Sequence, residues 1–439
     1  MLNLICEEEK MSRSLIVLLL LLLCSHGKTI GAETTIIIDS WRADDKVWNE
    51  KIIPAFNKHH PDIKVIFRSP EDGNSAKWNA TMDERFEKGE AGDLITCRPF
   101  DHALDLFQKG YLMEMTEIRG MENFPSFAKA AWQTDSGAQN FCLPLASVIH
   151  GFFYNKTIFE KLGINEPATT EQFYHVLETV KKAGYIPLAI GTKDKWEIAT
   201  MGFQNIGPNY WKGEDGRYEL INGETRLDGK PYIEVFQHLK RWSSYMGQGY
   251  EQRSYNDAIE LFASGKAAIY PAGSWDIMQF YDKIDLGVFK PPMEREEDNC
   301  YFSDHIDIGM GINAASKNIK AAESFLAWMA TREFSTLFTN EISGFFSLSN
   351  HFFEVNNPIA QKMMLWREQC DSTIRNTAQI LTRGEPNLEL EIWETSLGVM
   401  TNTMTPVQAV ARLQRGLEGW YEPQKTSKQP GNHLDCDPN

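Results

Sequence analysis

Positive charge is scarce in this chain of 439 residues. Lys and Arg total 44 against 60 Asp and Glu, so the formal net charge is −16. No long basic run offsets this balance, and an acidic chain without one is repelled by nucleic acid and by anionic lipid surfaces. The sequence therefore predicts no nucleic-acid partner.

Long hydrophobic runs are also rare. The longest uninterrupted apolar block covers residues 15–23, which is too short to cross a bilayer. Lys10 and Arg13 precede this block, and small residues that end at Ala32 follow it. Because this is the order of a secretory signal peptide, we predict a signal peptide over residues 1–32.

Two details of this leader leave alternatives open. The acidic residues 7–9 are atypical of the start of a signal peptide, so Met11 is an alternative first residue. Cys24 could carry a lipid, but Leu23 stands where a lipoprotein signal needs a small residue. We therefore predict a periplasmic, secreted protein in preference to a membrane-anchored lipoprotein.

Closely spaced cysteines, of the kind that bind metal ions, are missing. Two of the seven cysteines fall in the leader, and the others are Cys97, Cys142, Cys300, Cys370 and Cys436. Their wide spacing predicts no zinc site. Cys300 and Cys370 are a candidate disulfide because both lie in polar stretches, but spacing does not fix the pairing, and free thiols remain an alternative.

The sequence lacks the local motifs that identify common catalytic sites in the structural context that each motif requires. We find no Gly-x-Ser-x-Gly motif in a strand–turn–helix context and no phosphate-binding loop. No pair of carboxylates lies in a local pattern typical of glycoside hydrolysis. The sequence therefore predicts a protein that is not an enzyme and needs no cofactor, with a secreted glycoside-active enzyme as the alternative.

What the sequence does contain is an alternation of strands and helices. A β-branched run at 34–40 precedes an amphipathic helix at 45–58 and a second strand at 63–67. A helix at 76–88 then leads to a short strand at 93–97. This order predicts an α/β fold with parallel strands, in which ligands bind beyond the carboxyl ends of the strands.

Several motifs, in a shared order, resemble the carbohydrate-binding, maltose-binding-protein-like branch of the extracellular solute-binding proteins of ABC importers. The motifs are residues 62–65, 92–95, 110–112, 143–144, 151–161, 163–164, 262–268, 273–275 and 311–318. Each match is short, and their common order and spacing carry the resemblance.

The resemblance implies two lobes joined by a hinge, with a ligand cleft between them. Each lobe is expected to be a mainly parallel sheet flanked by helices. We place lobe one at 33–142 with 290–344, and lobe two at 146–286 with 347–430. Residues 431–439, which lack apolar periodicity, are predicted to be a disordered tail.

The connections between the lobes are expected at three places. Residues 143–145 contain a proline, which cannot donate to a strand ladder, and are a natural first connection. Residues 287–292 and 343–344 are the expected second and third connections.

The same resemblance implies a function. The protein is expected to bind a carbohydrate, to deliver it to the membrane permease subunits of an ABC transporter and to be a monomer. A different solute, such as glycerol phosphate or another polyol derivative, is the alternative. A phosphate would need converging cations, and Arg42, Arg98 and Lys193 are the visible candidates.

A sugar offers hydroxyl groups and apolar ring faces, so its site combines polar side chains with aromatic rings. In lobe one, Trp41 is predicted to stack on the sugar, with Arg42 and Asp44 as polar partners. Asp45, and alternatively Asp44, could instead cap the following helix. Arg98 is a further candidate for a sugar hydroxyl.

The other polar residues of these loops have simpler explanations. Asp101 is expected to cap the next helix, and Glu71 and Asn74 are weaker candidates because polar loops need no ligand.

Lobe two contributes candidates through the resemblance. Asp194 is expected to accept sugar hydroxyls and Trp196 to stack, although a tryptophan at a helix start is often a core residue. Trp275, which follows a glycine at a strand end, is the residue most clearly implied to stack on the sugar. His305 and Asp307 are further candidates in a stretch where the family usually has glycines beside an acidic residue.

Other conspicuous residues are assigned to structure. Asp276 is expected to begin a helix, and Phe325 and Trp328 lie at helical spacing typical of a core. His59 and His60 are adjacent and do not face the same way, so they are not predicted to bind a metal.

Overall fold

The computed structural model describes most of the chain, namely residues 33–70, 78–99, 101–377 and 379–426. The predicted signal peptide at 1–32, the candidates Glu71 and Asn74, and the predicted tail at 431–439 lie outside these residues. Across the ranges that the structure describes, no helix has the length and the apolar character that crossing a membrane requires.

The strands are β1 (Thr34–Asp39), β2 (Ile63–Arg68), β3 (Leu94–Cys97), β4 (Leu143–Asn155), β5 (Ile186–Leu188), β6 (Ala267–Gly273), β7 (Leu286–Phe289), β8 (Tyr301–Ile312), β9 (Phe346–Ser347) and β10 (Asp371–Thr373). The α-helices are Asp45–Val47, Ile53–Asn57, Trp78–Lys88, Asp101–Gln108, Ser126–Ala130, Lys156–Leu162, Thr170–Lys182, Gln204–Ile206, Pro208–Trp211, Gly213–Asn222, Lys230–Trp242, Tyr255–Ala263, Ile277–Phe280, Ile319–Met329, Arg332–Glu341, Pro358–Leu365, Leu388–Met400, Pro406–Trp420 and Glu422–Lys425. Two π-helical segments, Trp48–Ile52 and Ile198–Phe203, continue directly into α-helices.

The strands pair in the order β2-β1-β3-β8-β4-β6-β5, with β7 and β9 also on β4 and β10 on β8. β1 is parallel to β2 and β3, and β5 is parallel to β6, as the strand–helix alternation predicted. The long strands β4 and β8 add antiparallel pairs with β6 and β3 and with each other. The α/β fold is therefore confirmed. The sheets are mixed in direction and not mainly parallel as expected, because the long strands β4 and β8 pair antiparallel with their neighbours.

Buried apolar side chains form two separate cores. The first core draws on residues 36–148 and 306–348, and the second on 149–302 and 346–417. Strands at the centre of each core are flanked by amphipathic helices, which bury one face. This is the two-lobed architecture that the resemblance implied, while the first and last residue of each lobe stay a prediction.

The chain passes between the cores within two long strands. In β4, Val148 packs in the first core and its neighbour Ile149 in the second. In β8, Phe302 packs in the second core and Ile306 in the first. The second connection thus lies in β8 and not at 287–292, because β7 pairs with β4 inside the second core.

The segments of β4 and β8 that run from one core to the other are neighbours in the sheet. Val148 pairs with His305 of β8, and Ser147 pairs with Phe346 of β9, directly after the predicted third connection at 343–344. Three neighbouring strands therefore connect the two cores.

Two disulfides lie among the described residues. Cys97 at the end of β3 is bonded to Cys142 just before β4. Cys300 is bonded to Cys370, which confirms the candidate pair and ties the start of β8 to the start of β10.

Candidate functional site

The loop after β1 is held by a buried carboxylate at the end of that strand. Asp39 is 0% exposed and accepts hydrogen bonds from Arg68 at 2.6 and 2.7 Å and from Arg85 at 2.7 Å. The backbone N–H of Trp41 then donates to Thr96 Oγ1 at 3.1 Å. Because charge-assisted hydrogen bonds are strong, they fix the backbone that presents Trp41 and Arg42.

The side chains of this loop meet those of the loop after β3. Arg42 donates to Asp44 Oδ1 at 3.0 Å, and its guanidinium carbon lies 3.9 Å from the ring centre of Phe345. The guanidinium carbons of Arg98 and Arg42 lie 4.9 and 5.5 Å from the ring centre of Trp41. The Trp41 ring therefore already contacts two cations, and a sugar that stacks on it must share or displace them.

Trp275 lies where the two cores meet. Its partly buried ring packs against residues of both cores, and its ring centre is 5.4 Å from that of His150 and 6.3 Å from that of His305. Its Nε1 donates to the hydroxyl of Tyr255 at 3.0 Å. The ring folds over Gly273, where a Cβ would lie 2.0 Å from ring atoms, so this close approach requires glycine.

The next residue, Asp276, is buried beside this ring. Its carboxylate accepts hydrogen bonds from the hydroxyls of Tyr255 and Tyr270, the second at 2.9 Å. Burial raises the pKa of Asp276 to about 7, although both phenol donors and Arg42 act in the opposite direction. The helix Ile277–Phe280 begins directly after Asp276, as predicted. The side chain of Asp276 makes no capping hydrogen bond to this helix.

β8 places His305 beside Trp275. Its Nε2 is 3.0 Å from the Nη2 of Arg375, and its Nδ1 is 3.1 Å from the Nε2 of His150. Arginine can only donate, so Nε2 of His305 is the acceptor and Nδ1–H donates to His150. Burial, followed by the charge of Arg375, lowers the pKa of His305 to about 4, so this ring is neutral at pH 7.

Asp307 connects β8 to the loops of the first core. Its side chain is 19% exposed, and its Oδ1 lies 3.4 Å from His305 Nε2. Burial acts to raise its pKa, whereas the positive charges of Arg42 and Arg98 act to lower it, and the pKa of Asp307 is lowered overall. An ionised carboxylate therefore faces the two arginines that contact Trp41.

The predicted residues Asp194 and Trp196 both contact Tyr255. Asp194 Oδ2 accepts a hydrogen bond of 2.7 Å from the backbone N–H of Tyr255, at the start of the helix Tyr255–Ala263. The ring centres of Trp196 and Tyr255 are 4.9 Å apart. Both predicted residues thus border the site through a residue that the sequence analysis did not select.

The structure brings the other predicted residues together. Trp41, Arg42, Asp44 and Arg98 approach from the first core, Trp275 stands at the junction, and β8 carries His305 and Asp307. Their roles in binding a ligand stay a prediction.

The expected helix caps are wrong for two aspartates. Asp45 is the first residue of its helix and accepts from the hydroxyl of Ser69 at 2.7 Å. Asp101 is likewise the first residue of the helix Asp101–Gln108, and its carboxylate accepts from Arg383 at 2.7 Å. Both side chains therefore bind partners distant in sequence, in place of the adjacent backbone.

Sequence reasoning missed Tyr255, His150, Arg375 and Phe345. Only Tyr255 has a local signal, since it is the first residue of a helix and follows the capping residue Ser254. The others become neighbours of the site through long-range pairing. Within the described ranges, no three His, Cys, Asp or Glu side chains are grouped as metal ligands would be.

The site thus combines aromatic rings with ionised and hydroxyl groups at a junction of two cores. A family model for bacterial extracellular solute-binding proteins matches residues 39–334, which include the loops after β1, β3 and β6. This chain belongs to the bacterial extracellular solute-binding protein family.

Relatives of this solute-binding protein include proteins named for sugars. It is 25% identical over 300 residues to the multiple sugar-binding protein of Streptococcus mutans, covering 64% of this chain and 67% of that relative. It is 24% identical over 329 residues to the melibiose/raffinose/stachyose-binding protein MelE of Bacillus subtilis, covering 72% and 75%. Two further curated relatives are matched over only 62% and 43% of their own length.

The fold of this solute-binding protein is also found in solved structures. A sugar transporter from Bacillus licheniformis in complex with stachyose is 17% identical, with a TM-score of 0.67 and coverage of 88% of this chain and 100% of that one. At this identity the likeness concerns the fold alone.

Proposed function

We propose that this protein captures a sugar or an oligosaccharide between its two cores and delivers it to the membrane permease of an ABC importer. The observation that carries the proposal is the position of Trp275 at the junction of the cores, with polar side chains on both sides of the ring. An aromatic face beside carboxylate and guanidinium groups suits the apolar face and the hydroxyl rim of a sugar.

The proposed ligand bridges the two halves of the site. Trp41, Arg42 and Arg98 would contact it from the first core, and Trp275 would stack on it, with Asp307 as an acceptor for hydroxyl groups. A ligand that contacts both halves favours the closed form, because only contacts absent from the open form shift the population. The strands β4, β8 and β9 would act as the hinge.

Membership of an extracellular family supports export, and the predicted signal peptide over residues 1–32 supports a periplasmic location. Two relatives are named for binding several sugars, among them melibiose, raffinose and stachyose. We propose by analogy that this chain binds a carbohydrate of this size, acts as a monomer and performs no catalysis.

A phosphorylated polyol is the second candidate, and Arg98 favours it. This side chain is exposed and lies over Trp41, and no carboxylate pairs with it among the described residues. An exposed cation of this kind, whose charge Asp307 balances only from a distance, would suit a phosphate group.

A thermal-shift screen tests the proposal. Purified protein is heated with melibiose, raffinose, stachyose, a panel of monosaccharides, and glycerol 3-phosphate. A ligand at about 100 times its Kd stabilises the folded state by about 2.7 kcal/mol, which raises Tm by several degrees. A flat response to every carbohydrate would refute sugar binding, and a response to glycerol 3-phosphate alone would select the second candidate.

A separate incubation tests the absence of catalysis. The same sugars are kept with the protein, and the products are separated by chromatography. Release of any monosaccharide from an oligosaccharide would contradict a purely binding function.

A further inference from the structure

Tyr255 is the point at which three parts of the second core meet. Its hydroxyl accepts a hydrogen bond from Trp275 Nε1 at 3.0 Å and donates its only proton to Asp276. Its backbone N–H donates to Asp194 at 2.7 Å, and its ring lies 4.9 Å from that of Trp196. One residue therefore contacts all three of the predicted lobe-two ligand residues.

We propose that Tyr255 is a positioning residue that fixes the orientation of the Trp275 ring for the ligand, an inference that rests on the proposed function. The hydroxyl has one proton, which goes to the carboxylate of Asp276. Its oxygen is consequently left as an acceptor, and the indole N–H of Trp275 is the donor that meets it.

The direction of these bonds is determined by the buried carboxylate. Asp276 is 1% exposed and has no cation within hydrogen-bonding distance among the described residues, so its two oxygens depend on the phenols of Tyr255 and Tyr270. A buried carboxylate without these donors would be strongly destabilised. Asp276 therefore orients the hydroxyl hydrogen of Tyr255 toward itself. This orientation leaves the hydroxyl oxygen free to accept the indole N–H of Trp275.

The second contact of Trp275 is looser. Its ring meets His150 edge-on at a centre-to-centre distance of 5.4 Å, lies 6.3 Å from the ring of His305 and folds over Gly273, and none of these packing contacts directs the indole N–H. The hydrogen bond to Tyr255 is the only polar contact recorded for the indole within the described residues. Its removal should leave the ring in place on average but free to sample other orientations.

Asp194 and Trp196 gain a new role from this arrangement. Asp194 fixes the backbone of Tyr255, and Trp196 packs against its ring. Substitution of Asp194 or Trp196 should then lower the affinity for the ligand partly by displacing Tyr255. This effect is expected even where neither side chain contacts the sugar.

Tyr255→Phe tests the proposal because it keeps the ring and removes the hydroxyl. Tyr270→Phe is the matched control, since it removes the other phenol from the same carboxylate, and Tyr270 has no recorded contact with Trp275. Affinity for raffinose, and for the panel sugar with the largest thermal shift, is measured by calorimetry. We expect Tyr255→Phe to weaken binding roughly five- to thirtyfold, and Tyr270→Phe to change it less than twofold.

A double-mutant cycle separates positioning from a general loss of structure. Trp275→Phe removes the indole N–H. In this background the hydroxyl of Tyr255 has no hydrogen bond to residue 275 and cannot orient its ring. Tyr255→Phe should then cost less than a twofold loss of affinity when Trp275 is already Phe. An equal loss in both backgrounds would overturn the proposal.

A measurement without ligand keeps this inference separate from the proposed function. In the ¹⁵N-labelled free protein, the indole N–H resonance of Trp275 is identified by its loss in Trp275→Phe. We expect Tyr255→Phe to shift this resonance and to speed its exchange with water at least tenfold, whereas Tyr270→Phe leaves it unchanged. If Tyr255→Phe does not fold, Asp276→Leu takes its place because leucine offers the Tyr255 hydroxyl no acceptor, and an unchanged indole resonance in that variant overturns the proposal. Wild-type protein that binds no sugar would refute only the proposed function.

Discussion

Nε2 of His150 and Nδ1 of His305 lie 3.1 Å apart, on the two neighbouring strands that carry the chain from one core to the other. Both rings are almost completely buried, and the other nitrogen of His150 lies 3.1 Å from the carbonyl oxygen of Thr200. The hydrogen bonds therefore run in one direction, from Arg375 through His305 and His150 to Thr200. Neither ring can take a second proton without losing an acceptor in this chain.

The first prediction concerns stability at acidic pH. Burial lowers the pKa of His305 to about 4 and that of His238 to about 4, and it also lowers the pKa of His150. The unfolded chain binds protons below pH 6.5 that the folded chain does not, so stability falls from about pH 6.5 toward pH 4. At pH 5.5 we expect a loss of about 1–1.5 kcal/mol per buried histidine.

Acidification from pH 8 to pH 5 also protonates Asp276, whose raised pKa stabilises the folded state over this range. The histidine contribution is therefore measured as the difference in urea unfolding between the wild type and His238→Gln, from pH 8 to pH 5. Histidine NMR titration of the folded protein is the control, because the buried ring of His305 should remain neutral over this range. A His305 resonance that titrates near pH 6.5 would show that the ring is not held neutral by burial.

The second prediction is that Trp275→Ala lowers sugar affinity by about 1–3 kcal/mol, roughly ten- to hundredfold. The substitution removes one stacking face and leaves Asp307 and the arginines in place. Calorimetry gives the affinity and thermal melting gives the stability. Trp328→Phe, in the first core, is the control for loss of stability away from the site. If Trp275→Ala melts far lower while its folded fraction binds sugar normally, Trp275 is a structural residue.

The third prediction concerns an ion-pair cluster that joins the two cores. Arg383 donates to Asp101 at 2.7 Å and to Asp135 at 2.9 Å, while its neighbour Leu381 is buried in the second core. We expect Arg383→Gln to favour the open form and to weaken sugar binding two- to fivefold, since partly exposed pairs contribute up to about 1 kcal/mol.

Small-angle scattering of the free protein, together with calorimetry, tests the third prediction. Asp135→Asn is the graded control, because it removes one partner and keeps the hydrogen bond with Asp101. An unchanged radius of gyration and an unchanged affinity in Arg383→Gln would mean that this cluster does not contribute to closure.

The fourth prediction concerns the support of the loop after β1. Asp39→Ala removes a buried carboxylate that pairs with Arg68 and Arg85, and we expect it to lower the free energy of unfolding by about 2–4 kcal/mol. Glu84→Gln disrupts an exposed pair with Lys88 in the helix that also carries Arg85, and it should leave the free energy of unfolding nearly unchanged. Comparable effects of the two variants in urea unfolding would contradict a supporting role for Asp39.

The local helices and strands follow from side-chain patterns that can be read along the chain. The β-branched run at 34–40, the amphipathic pattern at 45–58 and the strand at 63–67 correspond to β1, to continuous helical segments and to β2. Such elements depend on the periodicity of apolar side chains over a few residues, and this periodicity can be read from the sequence alone. The position of Trp275 directly after a strand end has the same origin.

Which distant residues share the site depends on long-range strand pairing and packing. The pairing of β4 with β8 joins His150 to His305, and no spacing rule relates residues so far apart. The second connection was expected in a loop at 287–292, but it lies in β8. A long strand can contribute side chains to both cores without an intervening loop. Tyr255 and Asp276 likewise became partners through the packing of a helix start against a strand end, where burial and the scarcity of other donors selected their hydrogen bond.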